Sequence, residues 1–174
     1  MMTEDTYNKY TRLSQESLKE YVSYDPVTGQ FTCIKKWCSK VMVGEVVGCY
    51  ATGYWKVSFL GMPYLAHILA WFYMTGEWPK VEIDHKDRDK SNNQWGNLRQ
   101  ATRQQNEFNK SPHGDSILGI KGVSVSKNHD RYRAHITLDG KQYHLGTFDT
   151  LEEAKRARRE AEQKFFGEFA TTET

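Results

Sequence analysis

Cysteine is scarce in this chain: three in 174 residues, Cys33, Cys38 and Cys49, with no C-x-x-C spacing. An odd number without that spacing argues against a disulfide framework and against a zinc knuckle, so all three are read as reduced and structural. Long apolar runs are missing too. The N-terminal MMTEDTYNKYTRLSQESLKEY has no apolar core like that of a signal peptide, and no later stretch reaches membrane-spanning length. The chain is expected to stay where it is made, not secreted and with no membrane partner. Charge of one sign is also scarce, because 24 Lys and Arg against 22 Asp and Glu leave a net +2. Bulk charge therefore announces no nucleic-acid partner, and any such argument must rest on local placement and motifs.

What is present is pattern. Residues 1–23 are polar, with a short helix expected around Ser14 to Tyr21. From Tyr24 the chain reads as hairpins: Asp25-Pro26 and Thr28-Gly29 are turn signals, Phe31, Cys33 and Trp37 fall at roughly alternate positions, and Trp55, Val57 and Phe59 alternate after Gly53. Leu60-Gly61-Met62-Pro63 closes a turn. Tyr64 to Thr75 is apolar nearly all round, which predicts a buried central helix ending at Gly76. His67 within it is read as a core histidine with one hydrogen bond. Residues 111–120, SPHGDSILGI, read as a linker.

The chemistry concentrates in residues 81–110. Val81-Glu82-Ile83 suits a strand that delivers Asp84 and His85 at its end, Asn97-Leu98-Arg99 a return strand, and Thr102 with Gln105 a capping box that opens a helix carrying Asn106. An acid, an imidazole and two amides suffice to bind one hard metal ion and activate one water. A neutral imidazole such as His85 suits a general base for activating that water. Asn97 suits orientation of the loop, and the Asp84 carboxylate with the Asn106 amide oxygen suits Mg2+ or another divalent ion such as Mn2+. Arg88, Lys90 and Arg99 could contact phosphate or transition-state charge, with Asp87, Asp89 and Glu107 interleaved among the cations.

Asp84-His85, Asn97 twelve residues after the histidine and Asn106 nine further on resemble the HNH nuclease motif in its zinc-free, homing-endonuclease version. The order of a Gly-Tyr strand, a turn, a His-containing apolar helix, Gly-Glu-Trp-Pro and the Asp-His strand extends the resemblance over residues 24–110. It implies a ββα-metal (His-Me finger) core and no zinc. It also implies a one-metal, sequence-recognising endonuclease of the homing type, cutting double-stranded DNA to leave 5′-phosphate and 3′-hydroxyl ends. The setting implied is a phage-infected or bacterial cytoplasm. The alternatives are a DNA-binding regulator with an inactive nuclease site, or a structure-specific or restriction-type nuclease. Monomer and homodimer both remain open.

Beyond the linker, Gly122 to Ser126 and Arg131 to Leu138 alternate, Asp139-Gly140 signals a hairpin, Lys141 to Phe148 returns, and Thr150 with Glu153 caps a helix. Tyr132, Ala134, Ile136 and Leu138 share one face, while Arg131, Arg133, His135 and Thr137 share the other. Leu151, Ala154, Ala157 or Arg158, Ala161 and Phe165 recur at helical spacing. Three strands and one helix, with Lys121-Gly122-Val123 and Leu145-Gly146-Thr147-Phe148-Asp149-Thr150 in place, resemble the Apetala-type DNA-binding domain of plant ethylene-response factors over residues 117–170. That resemblance implies DNA contacts at Lys121, Ser124, Ser126, Arg131, Arg133, His135, Thr137 and His144, although several positions that are arginine or tryptophan in the plant proteins are Ser124, Ser126, Thr137 and His144 here. The expected class is α+β: a nuclease domain over 24–110 and a small antiparallel sheet packed on one helix over 121–170.

Overall fold

The computed structural model describes residues 13–109, 118–126 and 130–170. Among them are helices and four small antiparallel sheets, an α+β fold. By contacts the chain divides into residues 1–103 and 104–174, within a helix. Most of the segment expected to be a linker, 111–117, lies outside the described residues, as do residues 1–12 of the polar N-terminus.

In the first unit, α1 (Gln15–Tyr21) begins where the Ser14 side chain accepts the Ser17 N–H, and it buries Leu18. Strands β1 (Val22–Tyr24) and β2 (Phe31–Cys33) pair across a turn held by Asp25, whose carboxylate accepts the Val27 N–H and the Thr28 hydroxyl. Strand β2 stops at Cys33 because the N–H groups of Ile34 and Lys35 turn to the Tyr21 carbonyl, and this leaves Trp37 outside the strand. Cys33 is buried, whereas Cys38 and Cys49 are exposed, so only one of the three cysteines packs in the core.

Strands β3 (Cys49–Ala51), β4 (Tyr54–Phe59) and β5 (Met62–Leu65) form a sheet in that order. The turns Thr52-Gly53 and Leu60-Gly61 take positive φ at both residues, the geometry whose twist suits two-residue hairpins. Helix α2 (Ala66–Thr75) therefore starts two residues later than its apolar run predicts. Tyr64 and Leu65 are claimed by pairing with Val57 and Lys56, and Pro63 is tolerated on an edge strand. The helix ends as expected at Gly76, at φ 77°, whose N–H reaches the Phe72 carbonyl. Phe31, Phe59, Leu18, Leu69, Val22 and Val57 form the fully buried centre of this unit.

Strand β6 (Glu82–His85) pairs antiparallel with β7 (Leu98–Ala101), placing Asp84 opposite Arg99 and His85 opposite Leu98. Asn97, expected in the return strand, lies instead in a single 3-10 turn, Trp95–Asn97. Helix α3 (Arg103–Asn109) follows.

In the second unit, β8 (Val123–Val125), β9 (Tyr132–Leu138) and β10 (Lys141–Phe148) form a sheet in the order β10-β9-β8. Asp139 and Gly140 both take positive φ in the hairpin turn. Helix α4 (Leu151–Phe166) opens on the expected capping box between Thr150 and Glu153. Val123, Ala134 and Ala154 make the core, and small side chains on both sides let helix and sheet approach closely. The buried stripe of α4 runs through Ala154, Arg158, Ala161, Glu162 and Phe166, which leaves Phe165 47% exposed. The end of the stripe shifts by one residue because Phe166 stacks on Phe108 of α3, with ring centroids 3.6 Å apart. Arg158 and Glu162 are buried as an ion pair at 2.8 Å, and Arg158 Nη1 also donates to the His135 carbonyl. No described helix is long and apolar enough to cross a membrane.

Candidate active site

Two strands four residues long cannot hold a catalytic side chain still by themselves, so the rigidity of this site must come from what surrounds β6 and β7. Asp84 and His85 both end up buried, at 6% and 4% exposure. Successive strand residues face opposite ways, and the two meet different neighbours. Asp84 is met by its cross-strand partner: Arg99 Nε and Nη2 each lie 2.9 Å from Asp84 Oδ2. His85 lies against α2, where its ring makes an edge-to-face contact with His67 at a centroid separation of 4.8 Å.

The His85 ring has a second support that the motif did not reveal. Its Nε2 lies 3.3 Å from Oδ1 of Asn93, itself buried. The Asn93 amide nitrogen is committed to the Ser91 carbonyl at 3.0 Å, so the oxygen is what faces the imidazole. An oxygen can only accept. In the neutral ring Nε2 therefore carries the proton and Nδ1 is the basic nitrogen. Burial pushes the His85 pKa down, against the opposing pull of the Asn93 bond and of Asp87, Asp84 and Asp89. The ring is neutral at neutral pH.

Asn93 is clamped in turn by the first hairpin. Tyr24 donates its hydroxyl to the Asn93 carbonyl at 2.6 Å, and the Trp95 N–H reaches the Pro26 carbonyl at 3.0 Å. Gly29 packs its backbone against the same peptide: a Cβ there would sit 2.4 Å from the Asn93 carbonyl carbon. The only sequence signal for Asn93 was a second amide beside Asn92 in the polar loop. Nothing linear tied that loop to Tyr24.

Asn97 secures the other side of the loop. Its Nδ2 donates to Asp87 Oδ1 and to the Asn92 carbonyl, at 2.9 and 2.8 Å, and its Oδ1 accepts the Asp87 N–H. Asp87 also accepts from the Asn92 amide and the Asp89 N–H. Asp87, one of the acidic residues interleaved with the cations, thus fastens the loop. Arg88 sits at the tight turn after His85, at φ 67°, with its N–H on the His85 carbonyl. Lys90 Nζ lies 4.6 Å from the centre of the Tyr54 ring, and Tyr54 packs on His67.

His67 departs from expectation. It is a core residue, but its buried Nδ1 has no hydrogen-bond partner among the described residues, and its aromatic contacts are Tyr54 and His85. Burial, with added repulsion from His85 and Lys90, drives its pKa down to about 3. Asp84, His85, Asn93, Asn97 and Arg99 are thus gathered on β6, β7 and their loop. Asn106 lies on α3, in the second unit, and is half-buried.

The predicted DNA-contacting positions of the second unit divide by environment. Ser124, Arg133 and Thr147 are register partners across the sheet, and all three are exposed. His135 pairs with His144, while Thr137 pairs with Gln142. His135 is half-buried and its pKa is lowered by burial, by Arg158 and by His144. His144 and Thr147 approach each other at 3.4 Å. Arg131 is engaged with Asp149 at 2.7 Å, Ser126 is buried and donates to Asp130, and Lys121 Nζ donates to the carbonyls of Glu107 and Phe108.

A family model described as HNH endonuclease matches residues 64–108, the stretch from β5 through most of α3. Protein 3.8 of Escherichia phage T7 is 35% identical over 103 residues, covering 57% of this chain and 85% of that protein. A protein of Acanthamoeba polyphaga mimivirus named "Uncharacterized HNH endonuclease L560" is 32% identical over 146 residues, covering 82% of this chain and 73% of that protein. No solved structure matches the chain. With an imidazole held neutral beside a buried carboxylate inside the matched segment, and with relatives covered over most of their length, the chain belongs to the HNH endonuclease family.

Proposed function

We propose that this nuclease is a homing-type enzyme that hydrolyses phosphodiester bonds in double-stranded DNA with one divalent metal ion. The observation that carries the reading is the fixed His85 ring, neutral and held at Nε2 by Asn93. A neutral imidazole with Nδ1 as its basic nitrogen can accept the proton of the attacking water, a contribution of ~100- to 10,000-fold. Asn97 acts through the loop it fastens, and Asn93 acts as the positioning residue for the ring.

The donor chemistry proposed for the metal suits a hard ion. The Asp84 carboxylate and the Asn106 amide oxygen suit Mg2+ or Mn2+, whereas the cysteines lie outside this segment, in residues 33–49. When bound, such an ion would polarise the phosphate and stabilise the departing 3′-oxygen. Arg88, Lys90 and Arg99 are the cations that would contact the scissile phosphate in this reading. The C-terminal sheet would supply docking on duplex DNA, with Arg133, flanked by Ser124 and Thr147, as an exposed cation; tethering raises the effective concentration of the cutter at its site. Viral relatives favour the cytoplasm of an infected cell as the setting.

Supercoiled plasmid incubated with the protein and Mg2+ tests the activity. Nicked or linear product that disappears with chelator is expected, with 5′-phosphate and 3′-hydroxyl ends. Absence of product would favour a DNA-binding protein with an inactive site. Scattered cuts that follow DNA structure on a defined duplex would oppose the homing assignment.

A further inference from the structure

Arg99 carries two roles that conflict. The proposed function places it near phosphate, yet its Nε and Nη2 both lie 2.9 Å from Asp84 Oδ2, and the pair is largely buried, with side-chain exposures of 12% and 6%. The pairing is built into the fold, since Asp84 and Arg99 are register partners of β6 and β7. Strand β7 is fixed on either side by buried Leu98 and Ala101. A carboxylate meant for a dication is costly to bury alone, and it needs a counter-charge until the ion arrives. A guanidinium and a dication on the same carboxylate repel each other.

We propose that Arg99 is a placeholder cation: it neutralises Asp84 in the metal-free enzyme and yields that carboxylate when the divalent ion binds. The inference rests on Asp84 being a metal ligand, as in the proposed function. Release of Asp84 frees the guanidinium for phosphate only in the metal-loaded enzyme, which makes the two roles of Arg99 sequential. The enzyme then presents a neutralised pair before loading and two cationic centres after it.

Mn2+ binding to the full chain, measured by electron paramagnetic resonance without DNA, tests this. Arg99→Gln removes the competing charge while keeping a side chain of similar reach. Its Mn2+ dissociation constant should tighten on the order of tenfold. Its thermal midpoint should fall below wild type without metal and recover toward it at saturating Mn2+. An unchanged dissociation constant would make the pair merely structural. A weaker one would make Arg99 an orienting group for the carboxylate. Either result overturns the proposal. Asp84→Asn separates failure of the premise: if wild type binds no Mn2+, or the Asn variant binds it equally well, the metal role of Asp84 is itself wrong. Should Arg99→Gln fail to fold, the wild-type Arg99 Nε–H resonance, assigned by its loss in Arg99→Lys, gives a second readout. It should shift as diamagnetic Mg2+ saturates the protein; an unmoved resonance at saturation overturns the proposal.

Discussion

The His85 ring has two neighbours of opposite character. Asn93 fixes it by a hydrogen bond, and His67 fixes it by ring contact. Asn93→Ala should leave KM for a duplex nearly unchanged and lower kcat by up to ~100-fold, because a small misplacement of a catalytic group costs rate rather than binding. A kcat equal to wild type would remove the positioning role. His67 makes a separate prediction about acid. Its pKa is held down at about 3 in the fold, and that of His85 is lowered as well, whereas an unfolded histidine titrates near ~6.5. Below ~6.5 the unfolded chain takes up protons that the native rings refuse. Stability is therefore complete above ~6.5 and drains as pH falls toward the folded values, by up to ~1.4 kcal/mol per pH unit for each group. His67→Phe should flatten that slope in urea unfolding at pH 7, 5 and 4; an unaltered slope would assign the acid sensitivity to other groups. Asp84, His85 and Asn97 could be singled out from residue type and spacing alone. Asn93 could not, since its value depends on a bond across the loop, and neither could the Asp84–Arg99 pair, which is a fact of register. His67 was legible as a core residue, but its contact with His85 depends on how α2 meets β6.

At the scale of elements, the first hairpin acts as a clamp on the loop between β6 and β7. Tyr24, Pro26 and Gly29 all reach the segment Asn93 to Trp95. Gly29→Ala would combine a strained positive φ with a Cβ that sits inside van der Waals distance of the Asn93 peptide. It should lower the thermal midpoint and cut nuclease activity together, although residue 29 is 56 positions from His85 in sequence. Activity equal to wild type at full occupancy of the folded state would dissociate the hairpin from the site. In the second unit, Thr150→Ala removes the capping-box oxygen of α4 and should cost ~1 kcal/mol in chemical unfolding; no change would show that the cap is redundant. These elements were foreseeable where one local signal dominates: the turns at Leu60-Gly61 and Asp139-Gly140, the stop at Gly76, the cap at Thr150. The start of α2 was not, because Tyr64 and Leu65 are claimed by pairing with β4, and an apolar run alone does not distinguish a strand from a helix. The end of the α4 stripe shifted for a similar reason. Phe166 is chosen over Phe165 by its stack on Phe108, a partner from far earlier in the sequence.

For the whole molecule, a net charge of +2 is compatible with DNA as substrate only if its cations are placed selectively. The docking proposed for the sheet of the second unit rests on one such placement. Arg133 is exposed between Ser124 and Thr147, while Arg131 is engaged with Asp149, an exposed pair of small energetic weight. Arg133→Ala in the full chain should weaken duplex binding and reduce the salt dependence of affinity by about one phosphate contact. Unchanged affinity at low salt would remove the docking role from this face. In the first unit, His85 is held neutral by burial and beside Asn93, and the proposed chemistry uses it as the base. The most direct measurement is the single-turnover cleavage rate of a duplex in saturating Mg2+, comparing wild type with His85→Ala at neutral pH. A fall of ~100- to 10,000-fold with binding retained is the predicted result, and an equal rate would contradict the account.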